Sequence, residues 1–192
     1  MKKLFVLAVI LTMFVSNSSF GGNITGTVSN GSKGIINAVI YLSNTWHGTY
    51  SGTGTTVKMH QKNMLFSPHV LPILVGATVE FTNEDNTMHN VYSPDACAEN
   101  FNLGSWPEGE IRSYTFNHAD CIATILCNLH PEMEAYILTL SVPYFAVSGK
   151  GGSFKIKNVP AGTYTLKIWS EKYNISDVQV TVPESGDVNI DI

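Results

Sequence analysis

The stretch "TVEFTNEDNTMHNVYS", Thr78 to Ser93, decides the fold. In its first six residues Val79 and Phe81 alternate with Glu80 and Thr82, the period of two that turns one face of a strand inward and the other to water. A polar turn rich in Asn and Asp follows, and "HNVYS" (89–93) then resumes as a second strand. Short runs of this kind recur between Gly, Pro, Asn and Asp clusters along the rest of the chain, while helical periodicity is almost absent.

Upstream candidates are "NITGTVS" (23–29), "NAVIYLS" (37–43), "TVKMHQKN" (56–63) and "HVLPILV" (69–75). Downstream come "IRSYTFN" (111–117), "CIATILCN" (121–128) and "EAYILTLSV" (134–142). The series closes with "GSFKIKNV" (152–159), "GTYTLKIWS" (162–170), "DVQVTV" (177–182) and "DVNIDI" (187–192). This density of strands without intervening helices predicts an all-β fold of one or two sandwiches.

The two ends of the chain resemble each other and differ from the middle. Strand, polar turn and strand fill "GTVSNGSKGIINAVIYLS", and the C-terminal part is a string of hairpins with a Pro-Gly turn in "VPAG". Nearly all the His, Cys and Met beyond the first residues lie between about 57 and 142. The sequence therefore predicts one sandwich from residues 22–56 and 143–192, with a second, 57–142, inserted into it. Two domains stacked one after the other is the alternative that periodicity leaves open.

The chain opens on "MKKLFVLAVILTMFVSNSSFGG": two lysines, an apolar run from Leu4 to Val15, then small and polar residues. That layout predicts a secretory signal over 1–21, cleaved after Ser18 or Gly21, and a periplasmic or secreted protein. The apolar run is shorter than the roughly 20 residues of a membrane span. No cysteine follows it to take a lipid. Setting aside Lys2 and Lys3 leaves nine basic side chains against 15 acidic ones, a difference of −6. Such a balance argues against nucleic acid as a partner, because displacing its counterions needs clustered Lys and Arg. In an oxidising compartment the three cysteines leave one thiol free after a single disulfide.

The chemistry concentrates in "CNLHPEM", Cys127 to Met133, with spacing C-x-x-H-x-x-M. Thiolate, imidazole and thioether are soft donors that suit copper in both of its oxidation states. One thiolate, two imidazoles and a weak axial thioether make up an electron-transfer copper site, so this loop lacks one imidazole. His47, His60, His69, His89 and His118 compete for the place. His89 stands where a polar turn enters a strand, as a site at the rim of a sandwich requires. His47 and His118 read as solvated turn residues and His60 as an exposed strand residue. His69, in "FSPHVLPI", reads as a hydrogen-bonded structural residue, with a role beside the metal as the lesser option.

The pairing of "MHNV" with a downstream "CNLHPEM" resembles the cupredoxins, the blue copper proteins, with the short ligand loop of the amicyanin type. Residues 57–142 also look like exported cupredoxin-like chains described as methylamine-utilisation proteins, and the terminal segments are similar to the carboxypeptidase regulatory-like module. The resemblance implies a cupredoxin Greek-key β-sandwich inserted into or packed beside a small transthyretin-like β-sandwich. It implies one type 1 copper centre held by His89, Cys127 and His130, with Met133 as the long axial ligand. Asn90 would stitch its strand to the ligand loop and tune the thiolate. In such a sandwich the strand leaving His89 and the strand arriving at Cys127 share a rim. At roughly 3.3 Å per residue, Cys97 and Cys121 would both lie about 20 to 26 Å away, able to pair as a disulfide that leaves Cys127 free.

Pro131 stiffens the loop, and Leu129, Pro131 and Met64 are candidates for an apolar opening around His130. No second metal cluster, Ser–His–Asp arrangement or phosphate loop is visible. "NED" (83–85) and "EGE" (108–110) read as turns rather than catalytic pairs, and the chain is not read as an enzyme. The function expected is a single-electron carrier working with a redox partner protein. Two alternatives stay open at this point. One is an envelope- or glycan-binding module with structural copper, suggested by Tyr41, Tyr164, Trp169 and Tyr173. The other is copper storage or delivery.

Overall fold

The computed structural model describes residues 21–43 and 50–192. The expected signal segment up to residue 20, and His47, lie outside the described residues.

Strand formation follows the alternation. The first strands are β1 (Gly22–Thr27), β2 (Ser29–Asn30), β3 (Lys33–Gly34) and β4 (Val39–Ser43). Next come β5 (Thr56–Lys62), β6 (Leu65–Ser67), β7 (Val70–Leu74), β8 (Thr78–Asn83) and β9 (His89–Tyr92). They are followed by β10 (Asn102–Trp106), β11 (Ile111–Thr115), β12 (Cys121–Leu126) and β13 (Glu134–Leu140). The last five are β14 (Phe145–Val147), β15 (Ser153–Val159), β16 (Gly162–Trp169), β17 (Val178–Val182) and β18 (Val188–Asp191). Among the described residues there is no α-helix, so the fold is all-β.

Two of the larger sheets are built wholly from the middle of the chain. One runs β10-β9-β12-β13-β7 and the other β11-β8-β5-β6. Their facing sides share one apolar cluster, with Met59, Val79 and Phe81 from the second sheet meeting Val91, Trp106, Ala123, Ile125 and Ile137 from the first. The other two larger sheets, β15-β1-β18 and β14-β4-β16-β17, draw on both ends of the chain. Ile24 and Ile156 from one and Ile40, Leu42, Leu166 and Val180 from the other close a second core.

The two cores meet along β13. Ala135 and Ile137 point into the first core, while Leu138 and Leu140 join Val39 and Val70, with Tyr41, Tyr136, Phe145 and Trp169 packed against them. A strand covered on both faces loses its alternation, and the run "ILTL" of β13 is buried throughout. His69 adds a polar tie, its Nε2 2.7 Å from Glu171 Oε2.

Candidate metal centre

The site sits at one rim of the five-stranded sheet. His89 is the first residue of β9 and pairs with Trp106 of β10. Cys127 directly follows β12, which runs antiparallel to β9 and is joined to it at Leu126 and Tyr92. Antiparallel neighbours bring the start of one strand beside the end of the other, so both side chains reach the same rim. The chain then turns through Asn128–Met133 into β13, closed by a hydrogen bond from Met133 N–H to His130 O of 3.0 Å.

His130 Nδ1 lies 3.0 Å from His89 Nδ1 and 3.7 Å from Cys127 Sγ, and the three donor atoms are all within 4.8 Å of one another. Two imidazole nitrogens bound at about 2.0 Å to one ion stand roughly 3 Å apart, so the spacing suits a shared metal. His89 and Cys127 are buried, and His130 is half-buried. Among the described residues this is the one group of three or more His, Cys, Asp or Glu side chains with donor atoms so placed. Met133, in the same loop, is fully buried in the cluster that also holds Cys127.

Asn90 ties the strand to the loop. Its backbone N–H points at Cys127 Sγ, 3.4 Å away, and its Oδ1 accepts the Asn128 N–H at 3.2 Å. The Nδ2 of the same amide donates to Asn102 Oδ1 and to Gly104 O, at 3.0 and 2.7 Å. Cys97 and Cys121 form a disulfide with their Cα atoms 5.6 Å apart, and Cys127 is a free, buried thiol.

The remaining described histidines stand apart from the cluster. His60 contacts Glu84 and Thr82, and His118 contacts Glu99, all near the surface. His69 donates from Nδ1 to Glu134 O at 3.1 Å, one residue beyond Met133, while its Nε2 faces Glu171. It sits at the seam between the two cores, with hydrogen-bond partners on both sides.

Sequence reasoning passes over three polar residues that shape this rim. Asp85 Oδ2 lies 3.0 Å from His89 Nε2. Burial pushes the Asp85 carboxyl up, and the Met64 N–H, the His89 imidazole and the Asn63 N–H together outweigh it, holding the group below the usual aspartate range. Asn83 accepts the Asp85 N–H at 3.0 Å and donates to Thr87 O and Trp106 O, fixing the turn before His89. Gln61 Nε2 reaches Asn90 O at 3.2 Å. The one available signal was the D-x-x-x-H spacing from Asp85 to His89. Leu65, Met88 and Leu129 are exposed apolar residues, Pro131 is exposed and Met64 is half-buried.

A family model for the beta-sandwich domain of ER membrane protein complex subunit 7 matches residues 127–192. No curated protein matches the chain. Among solved structures, a Cu-containing nitrite reductase (NirK) from Thermus scotoductus SA-01 is 29% identical over 45% of this chain, with a TM-score of 0.43. This chain spans only 23% of the length of that reductase. A purple cupredoxin from Nitrosopumilus maritimus is 23% identical over 43% of this chain and 98% of its own, TM-score 0.39. The reduced state of an amicyanin mutant is 18% identical over 54% of this chain and 98% of its own, TM-score 0.41. With these TM-scores below 0.5, the reading of the site stands on its own geometry.

Proposed function

We propose that this chain is an exported type 1 copper protein that carries single electrons between redox partners, with the metal held by His89, Cys127, His130 and Met133. The observation that carries the reading is the convergence of His89 Nδ1, Cys127 Sγ and His130 Nδ1 within 4.8 Å at a buried rim. One thiolate, two imidazoles and a thioether favour copper over harder ions. Bound copper supplies a one-electron couple between its two oxidation states.

The protein's own part is to hold the donors still. β9 and β12 place His89 and Cys127, the Asn90 side chain joins β9 to the Asn128 amide, and the Asn90 N–H points at the thiolate that must bind metal. A frame this constrained changes little when the charge at the site changes, which keeps reorganisation small. His130 is the one donor of the three that is not buried. Electrons would pass through it, with Leu129, Pro131 and Met64 among the apolar residues that a partner protein would cover.

The expected domain limits remain part of this proposal: residues 57–142 carry the copper, and 22–56 with 143–192 form the accompanying sandwich. A glycan-binding role for that sandwich finds little support. Tyr164 is buried and Tyr41 and Trp169 pack at the seam, so Tyr173 alone of the four aromatics is exposed. Among the described residues no helix is long and apolar enough to cross a membrane.

Loading the purified protein with Cu(II) tests the reading. We expect intense thiolate-to-copper absorption in the visible range, a matching EPR signal, reversible reduction, and loss of the colour in Cys127→Ser. A copper-bound protein without that band would defeat the assignment. A coloured form that gives up its copper readily to a chelator and does not cycle would favour storage or delivery.

A further inference from the structure

An imidazole can bind a metal through Nδ1 only if that nitrogen carries no proton, so the ring proton must sit on Nε2. In this fold His89 Nδ1 lies 3.0 Å from His130 Nδ1, and its Nε2 faces Asp85 Oδ2 at 3.0 Å. Asp85 is itself held from three sides. Its carboxylate accepts the Asn63 N–H at 2.6 Å and the Met64 N–H at 2.9 Å, and its own N–H donates to Asn83 Oδ1 at 3.0 Å.

Asn63 and Met64 form the two-residue tip of the hairpin between β5 and β6, where Lys62 pairs with Leu65. Both have left-handed backbones, with φ of 54° and 61°. Asn adopts that conformation readily, whereas Met does so rarely. The tip thus departs from the usual preference for glycine, and its two amides converge on one carboxylate.

We propose that Asp85 is a positioning residue for the metal centre. It fixes His89 as the Nε2–H tautomer, with Nδ1 presented to the ion, and takes its own position from the hairpin tip at Asn63 and Met64. The hairpin is then part of the site, although it contributes no donor to the cluster. This inference rests on the metal reading for its purpose, but the tautomer can be measured without any metal.

The test is the 15N NMR spectrum of the His89 ring in the metal-free protein, combined with Cu(II) affinity measured against a competing chelator. In the wild type we expect the proton on Nε2. In Asp85→Asn the side-chain amide can donate to Nε2, so the proton should move toward Nδ1 and copper affinity should fall by about 10- to 100-fold. Asp85→Glu, which retains the carboxylate, should keep the Nε2–H form.

A purely structural role is separated by Met64→Gly, which lets the tip hold its left-handed turn without the carboxylate. Combined with Asp85→Asn it should leave the altered tautomer unchanged. Full recovery of tautomer and affinity in that double variant would overturn the proposal. So would an Asp85→Asn protein with the wild-type tautomer, or one that binds Cu(II) as tightly as the wild type. Failure of the copper reading looks different: the Asp85-dependent tautomer would be present in a wild type that shows no thiolate-to-copper band.

Discussion

The middle of the chain and its two ends fold by the same alternation, but they differ in what they bury. Seven polar side chains are buried among the described residues. Six of them, Gln61, Asn83, His89, Asn90, Ser93 and Thr139, belong to the middle, and Ser148 alone belongs to the terminal segments. A buried polar group costs about 1–3 kcal/mol when it lacks a partner, so a fold that accumulates them must supply partners. Ser148 does so locally, donating to Ile35 O and accepting the Ala38 N–H. In the middle, Asn83 and His89 both meet Asp85, while Gln61 donates to the carbonyl of Asn90, whose own N–H points at the Cys127 sulfur. The terminal core shows how little polarity this architecture needs to fold, and most of the excess in the middle gathers beside the candidate metal centre.

The two apolar cores should be equally well packed, and truncation of a core isoleucine in each has the largest expected effect. Ile137 and Ile156 are both almost completely buried, one in each core. Truncation of either to Ala should destabilise the metal-free protein by about 3 kcal/mol, measured by denaturant unfolding. A much smaller loss for Ile137→Ala would mean that the middle core is loosely packed, and its polar network would then be filling space rather than serving a site.

The strands of both regions were legible in the sequence because half-buried strands leave a period of two in the side chains. The elements that escaped are too short or too irregular to show it. β6 is only Leu65–Ser67, β14 only Phe145–Val147, and β10 contains Gly104 with φ of 75° at a shift in its register with β9. At the rim, the C-x-x-H spacing singled out Cys127 and His130, and the place of His89 at the end of a polar turn singled it out among the competing histidines; the fold brings the donor atoms of all three within 4.8 Å. Asp85, Asn83 and Gln61 were not legible. Their roles depend on neighbours that only the closed fold supplies, such as the Asn90 carbonyl that Gln61 meets across 29 positions of sequence.

A second comparison separates network from packing. Asn90→Ala removes the acceptor of the Asn128 N–H and the donor to Gly104 O, and should cost about 2 kcal/mol. Ser148→Ala strands the Ala38 N–H and should cost about 1–2 kcal/mol. Stability alone barely distinguishes them. The visible spectrum of the copper-loaded protein should: it is expected to shift in Asn90→Ala and stay in place in Ser148→Ala. A shift in both would show that the terminal core also shapes the site.

The smallest expected effect lies at the seam, where the two regions touch. His69 and Glu171 meet there at 2.7 Å, with side chains that remain 35% and 29% exposed. Partly exposed pairs of this kind are worth about 0.5 kcal/mol. Glu171→Gln should therefore lower stability by no more than about that amount, measured by denaturant unfolding. The apolar contacts of Leu138 and Leu140 with Val39 and Val70 remain in the variant and should hold the seam. Yet His69 also donates to the carbonyl of Glu134, the residue after Met133. A Glu171→Gln protein with unchanged stability but a shifted copper spectrum would reveal a path from the terminal sandwich to the ligand loop, and the two regions could no longer be treated as separate in function.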